Sequence, residues 1–305
     1  MANSSSIPHF LLLPLPGTRQ LQLLHFCLFL AIYLAALLGN GLIITTIASD
    51  HHLHTPMYFF LLNLALLDLG TISTTVPKSM ANSLRNTRDI SYSGCIAQVL
   101  FFLSFITAEV SLLTIMSYDR YIAICRPLRY ETLLGSRVCD VSLQAEDGVT
   151  SSGMRYWALL HIANTFSLPL YQGNVVDQFF CEIPHILKLS CSTFNLRKIG
   201  LIVVTICPGF VCFVFIVVSY VQIFRAVLRI PSQQECHKAF ATCLPHLAVV
   251  SLFLSTGFFA YLKPPSISSP SEDLVVSVLY SVVPPAVNPL IYSLRNQELK
   301  AALSK

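Results

Sequence analysis

Met116-Ser117-Tyr118-Asp119-Arg120-Tyr121-Ile122-Ala123-Ile124-Cys125-Arg126-Pro127-Leu128 stands at the inner end of a mainly apolar run from 96 to 118. A run of that length suits a helix crossing a bilayer, which needs roughly 20 mainly apolar residues. An acid and a base placed side by side where such a helix meets water can hold the guanidinium in a local ion pair, and a rearrangement can free it to contact a partner's helix. Asp-Arg-Tyr alone also fits a plainer reading, an interfacial arginine that anchors a helix end. The string of thirteen residues is more specific than either reading of three.

Outward from this stretch, five further segments are long and apolar enough to span: 23 to 48, 58 to 77, 199 to 224, 239 to 262 and 274 to 294. A poorer one lies at 154 to 170, preceded by Gln144, Glu146 and Asp147, which a longer helix would bury at high cost. Placing the start near Met154 and leaving the acids in an enlarged inner loop avoids that cost. The expectation is an all-α membrane protein with a single domain over 1 to 305, a bundle of seven transmembrane helices, its N-terminus extracellular and its C-terminus cytoplasmic. The composition agrees, with 54% hydrophobic and 11% charged residues against about 25% charged in soluble chains.

Lysine and arginine divide ten to the inner side and eight to the outer, with Arg155 in the doubtful fourth span, too even a split to orient the chain by charge. Cysteine orients it better. Cys95, Cys181 and Cys191 fall in or beside outer loops if the N-terminus is outside, where oxidation is possible, and the sequon at Asn3-Ser4-Ser5 offers a glycosylation site on the same side. The region from 1 to 22 lacks the basic start and cleavage site of a removable signal peptide, so the first span reads as an uncleaved anchor.

Other function classes find little support. A net charge of +4 with no long basic block excludes a nucleic-acid surface as a sequence expectation. The nine histidines make no HExxH pair, and the glycines, 12 in all, form neither a phosphate loop nor a dinucleotide fingerprint. No metal, no cofactor and no enzymatic activity are expected. The halves show no internal repeat, which weighs against a transporter built from such repeats.

Signature strings recur in order along nearly the whole chain: Gly39-Asn40 in span 1, Leu53-His54-Thr55-Pro56-Met57-Tyr58-Phe59-Phe60-Leu61 into span 2, and the Asp-Arg-Tyr string after span 3. Ser219-Tyr220 follows in span 5, Lys238-Ala239-Phe240-Ala241-Thr242-Cys243 in span 6, and Pro285-Ala286-Val287-Asn288-Pro289-Leu290-Ile291-Tyr292-Ser293-Leu294-Arg295-Asn296 in span 7. Together they resemble the olfactory receptors, a branch of the rhodopsin-like G-protein-coupled receptors. Ala163-Asn164-Thr165-Phe166-Ser167-Leu168-Pro169 and Phe253-Leu254-Ser255-Thr256 look most like family 14 of these receptors.

The resemblance implies a multi-pass cell-membrane receptor that binds a small volatile or apolar ligand and activates a heterotrimeric G protein of the olfactory stimulatory type. By position in the family bundle the ligand-facing candidates are Phe102, Leu103, Ile106, Thr107, Val204, Thr205, Leu254, Tyr261 and Ser281, a mostly apolar set with a few polar groups, as ligand pockets usually are. Asp119, Arg120, Tyr220, Asn288, Pro289 and Tyr292 are the candidate switch, and a disulfide is expected between Cys95 and Cys181. Asn40, Asp68 and Glu109 form a polar core. Its two intramembrane acids require a reason, and two remain open: a sodium or proton site that biases the inactive state, or protonated, hydrogen-bonded core acids with no ion. Pro289 removes a backbone hydrogen bond, and Asn288 beside it could engage the freed group.

The chain departs from the family pattern in two places. Tyr171 stands where the long outer loop usually has a cysteine, leaving Cys191 without its usual partner. From 140 to 156 the small, alanine-rich start of span 4 is replaced by unrelated text. A nonfunctional product of a disrupted receptor gene is therefore one alternative, and a small-solute transporter another.

Overall fold

In the computed structural model the described residues are 9–12, 18–53, 55–126, 150–167, 174–176, 178–189, 196–229, 232–262 and 270–295. Long helices dominate them: α1 (Arg19–Ser49), α2 (Pro56–Arg85), α3 (Tyr92–Cys125), α4 (Thr150–Phe166), α6 (Leu196–Val227) and α7 (Gln233–Leu262). The last crossing is made by two pieces, α8 (Pro270–Ser281) and α9 (Val283–Arg295), and a short helix, α5 (Ile183–Leu189), lies in the loop between α4 and α6.

The helix ends follow local chemistry. Proline at the first turn of α2 sacrifices no intrahelical bond, and that helix stops where Asn86 adopts the left-handed conformation at φ 54°, one of the few side chains that tolerates it. Ser91 caps α3 by accepting a hydrogen bond from the Gly94 amide at 3.1 Å. Between α8 and α9, Val282 is a turn, and Pro284 and Pro285 follow it without amide hydrogens to donate.

Among the described residues six stretches are long and apolar enough to cross a membrane: Arg19–Ser49, Pro56–Arg85, Tyr92–Cys125, Ile199–Val227, Ala239–Gly257 and Leu274–Tyr292. α4, with 17 residues, reaches only about 25 Å at 1.5 Å per residue. It begins earlier than the sequence-based start at Met154 and ends earlier than the expected residue 170. Large apolar side chains point outward, Leu38 at 67% and Val211 at 66% exposure among them. A continuous apolar exterior on long helices needs lipid around it.

Apolar residues also fill the interior. One core cluster joins Tyr58, Leu64, Leu113, Met116, Tyr220 and Tyr292 near the Arg120 end. Two others fill the opposite end, one around Cys95, Cys181 and Leu201 and one around Phe102, Phe180 and Tyr280.

The sequence reading did not foresee a three-stranded sheet at the outer end. β1 (His9–Leu12) lies between β2 (Asp89–Ser91) and β3 (Val175–Val176), antiparallel to the first with Phe10 opposite Ile90, and parallel to the second with Leu11 opposite Val175. Alternation along β1 turns Phe10 and Leu12 inward and His9 and Leu11 outward. The N-terminal segment is thereby fastened over the outer end of α3.

Candidate functional site

The helices gather three groups of functional side chains along the bundle. In the middle, Asp68 and Asn288 are buried, and the Asn288 amide donates to both carboxylate oxygens of Asp68 at 3.1 Å. Asn40 makes a different contact from the expected one. Its amide donates to the Ala36 carbonyl at 3.0 Å and to the Pro285 carbonyl at 2.9 Å. Pro285 is four residues before Pro289, so its carbonyl is the acceptor that proline's missing amide leaves open. Asn40 fills that vacancy across the bundle, and Asn288, the residue the sequence suggested for it, serves Asp68 instead. Gly39 makes the approach possible, since a Cβ there would meet Pro289 Cβ at 3.1 Å.

Glu109 enters the same core from α3, 1% exposed, close enough to Asp68 for their charges to interact. Glu109 Oε1 and Asn288 Oδ1 have no hydrogen-bond partner among the described residues. Two neighbouring buried acids, one with an unpaired carboxylate oxygen beside the unpaired Asn288 amide oxygen, suit a proton or a small cation, because isolated carboxylate charge is costly there.

Towards the inner end, Arg120 is 9% exposed and its Nε lacks a partner. No ion pair within 4 Å joins it to Asp119 among the described residues, so the local pair allowed by the sequence is not formed in this arrangement. Arg120 instead lies within electrostatic reach of Tyr220, Cys243, His246 and Tyr292. Tyr220 Oη and His246 Nδ1 are 2.6 Å apart, and His246 Nε2 is 3.1 Å from the Leu113 carbonyl. A carbonyl only accepts, so Nε2 carries hydrogen. In a neutral ring Nδ1 then accepts from the Tyr220 hydroxyl. This chain of bonds joins α6, α7 and α3. Sequence reasoning missed His246, although a histidine directly after Pro245 in an apolar span was a usable signal.

At the outer end, a disulfide joins Cys95 at the start of α3 to Cys181. Gln98 strengthens this tether, accepting from the Cys181 amide at 2.8 Å through Oε1 and donating to the Thr74 carbonyl at 2.9 Å through Nε2. The tether carries Phe179 and Phe180 over the bundle. Phe180 meets Phe102 at 5.1 Å between ring centroids and Tyr280 at 6.3 Å, in tilted or edge-on geometry that suits aromatic quadrupoles. Tyr280 is buried, and its hydroxyl has no partner among the described residues.

The expected ligand-facing set is only partly collected here. Phe102 and Ile106 belong to this aromatic cluster, and Ser281 is buried directly after Tyr280, its hydroxyl donating to the Ser277 carbonyl at 2.6 Å. Leu103 packs instead with Cys95, Cys181 and Leu201, and Leu254 packs against the inner core. Thr107 donates to the Leu103 carbonyl at 2.8 Å, while Val204 is 46% exposed on α6. The side chains of Thr205 and Tyr261 lie outside the described residues, as do Asn3, Tyr171 and Cys191. Phe180 and Tyr280 are additions that no spacing rule announces, since a loop brings one of them in.

A helix bundle with an acid-bearing polar core, a last crossing broken at Val282 and a disulfide-tethered outer loop is the architecture of the rhodopsin-like receptors. The crystal structure of squid rhodopsin superposes with a TM-score of 0.69 over 93% of this chain and 85% of that one, at 16% identity, a likeness that speaks for the fold. The olfactory receptor family profile matches residues 26–305. Human olfactory receptor 14J1 is 49% identical over 100% of this chain and 94% of its own length, and human olfactory receptor 14A16 is 49% identical over 99% and 96%. Olfactory receptor 1G1 of Gorilla gorilla gorilla is 44% identical over 99% and 96%. The chain belongs to the olfactory receptor family. It is accordingly a multi-pass membrane receptor and not an enzyme.

Proposed function

We propose that this chain is an odorant receptor that takes a small, mostly apolar, neutral ligand beneath the tethered outer loop and activates an olfactory-type stimulatory G protein at its inner end. The observation that carries the ligand class is the cluster of Phe102, Ile106, Phe180 and Tyr280, in which apolar rings surround one buried hydroxyl without a partner. Such a site rewards a ligand that offers apolar bulk and one acceptor or donor for Tyr280. Phe102, Leu103, Ile106 and Thr107, the candidate positions on α3, include no acid to serve as counter-ion for an amine. Thr107 and Ser281 stay in the reading as its polar neighbours from α3 and α8.

Signalling requires a ligand that binds one arrangement of the bundle better than another, since equal affinity shifts nothing. The parts available for two arrangements are the broken last crossing, with Pro289 braced on Asn40, and the Arg120, Tyr220, His246 and Tyr292 group below it. Asp119 serves as the alternative partner for Arg120. The test is cyclic-AMP production in a heterologous cell exposed to a broad odorant panel, with cell-surface labelling as control. Response to neutral apolar compounds that weakens in Tyr280→Phe supports the reading. Silence across the panel with the chain proven at the surface overturns it.

A further inference from the structure

Between α2 and α3, towards their outer ends, lies a cleft of about 470 Å³ lined on α2 by Ser73, Thr74 and Lys78 and on α3 by Gly94, Ala97 and Phe101. It is separate from the aromatic cluster and opens sideways: Ser73 is exposed and Phe101 is 54% exposed. About 33 Å of helix separates Pro56 from Lys78 at 1.5 Å per residue, close to one hydrocarbon thickness of roughly 30 Å. Lys78 therefore stands at the outer polar boundary of the membrane with the cleft running down from it.

The hydrogen-bonding state of the lining narrows what fits. Thr74 donates its hydroxyl to the Gly70 carbonyl at 2.8 Å, Ser91 accepts from the Gly94 amide at 3.1 Å, and Ser73 lies 3.2 Å from the Tyr33 hydroxyl. Gln98, which also borders the cleft, uses both ends of its amide on Thr74 and Cys181. Lys78 is the exception. It is half-buried and makes no hydrogen bond or ion pair with any described residue, Asp89 on neighbouring β2 included. Ordinary interfacial lysines extend into water; this one borders a recess whose other end is Ala97 and Phe101. One unmatched cation at the aqueous end, walls below it in which Ile90, Ala97 and Phe101 stand among polar side chains already engaged within the protein, and a lateral opening together describe a receptacle for a single-headed amphiphile.

We propose that the cleft between α2 and α3 is a binding site for an anionic amphiphile, whose head group pairs with Lys78 while its hydrocarbon chain lies along Ala97 and Phe101. The volume is within the usual range for small-ligand sites, about 300 to 1,000 Å³. Two sources share this chemistry, a medium-chain carboxylic acid arriving from outside and a phosphodiester lipid of the outer leaflet. The inference does not depend on which ligand occupies the aromatic cluster.

The test uses the full chain in phosphatidylcholine nanodiscs with two photoreactive probes, a diazirine-bearing dodecanoic acid and a phosphatidylglycerol carrying the diazirine in one acyl chain. Peptide mapping should find label on the α3 stretch that contains Ala97 and Phe101. Labelling should fall about tenfold in Lys78→Gln, the loss expected when one charge-assisted contact is removed. It should persist in Lys78→Arg and be blocked in Ala97→Phe. On the unsubstituted chain, where folding is not in question, excess dodecanoate should compete and dodecanol should not. Label from the acid assigns the free carboxylate as the source, and label from phosphatidylglycerol alone assigns the lipid. No label on this stretch from either probe, equal competition by dodecanol, or full labelling of Lys78→Gln overturns the proposal.

Discussion

Pro289 deprives the Pro285 carbonyl of its helical partner, and the Asn40 amide, 2.9 Å away on another helix, replaces it. Removing that amide leaves a buried acceptor unsatisfied, which costs about 1 to 3 kcal/mol. Asn40→Ala should therefore lower the unfolding temperature of the purified chain by several degrees, about 2 to 4 °C per kcal/mol for chains of 150 to 250 residues. An unchanged unfolding temperature would mean that another group, water included, takes the site. Arg120 supports a different kind of prediction, because it touches no expected ligand contact. Arg120→Ala should abolish cyclic-AMP production while leaving displaceable odorant binding within about threefold of the parent, less than 1 kcal/mol. Loss of both, with the chain at the surface, would place Arg120 in ligand affinity instead of coupling. A solute flux that survives the substitution would favour a transporter.

At the scale of elements, Gly39 lets α1 approach α9 at its internal proline, with Pro289 Cβ only 3.1 Å from where a Cβ would stand. Gly39→Val adds branched bulk at that contact, and overpacking typically costs about 1 to 3 kcal/mol. Surface expression should drop severalfold and recover in part when Pro289→Gly is added, since the second change removes both ring carbons that are struck, Cβ and Cγ. A Gly39→Val chain with parental surface levels would show that the helices can separate without penalty. The long helices were legible in the sequence because lipid demands an apolar run of fixed length, and proline positions marked the breaks. The sheet at the outer end was not. His9–Leu12 reads as a leucine-rich stretch between prolines, and its strand character depends on β2 and β3 from distant parts of the chain. The polar group at the inner end was legible at Arg120 and Tyr220, which the signature strings mark, and illegible at His246, whose contacts arise only when α6 and α3 meet it. Phe180 was hidden for the same reason, since the disulfide and not its own spacing brings it to Phe102.

For the whole molecule, the crossing expected to limit assembly is α4, which is not among the six stretches long and apolar enough to span. Its 17 residues make about 25 Å of helix against a hydrocarbon core of about 30 Å, and its first turn, Thr150, Ser151, Ser152 and Gly153, adds no large apolar side chain to that length. The sequence before it carries Glu146 and Asp147, each costing very roughly 2.5 to 3.5 kcal/mol near the centre of an inserted helix, so the helix cannot gain length by sliding inward. Bilayer thinning and packing on α3 can accommodate a short span at a modest cost per ångström, but insertion itself should be inefficient and many chains should be held before reaching the surface. Replacing Ser151 and Ser152 by leucine and Gly153 by alanine lengthens the apolar run without touching the outer loop or the inner switch. This triple substitution should raise the surface fraction severalfold. A glycosylation sequon engineered near residue 147 should stay unmodified in the parent, as an inner loop requires, and one engineered in the 171 to 190 loop should be modified. Modification near residue 147 in most chains would invert the placement of α4. A surface fraction that is already high in the parent, and unmoved by the triple substitution, would show that packing against α3 compensates fully for the missing length.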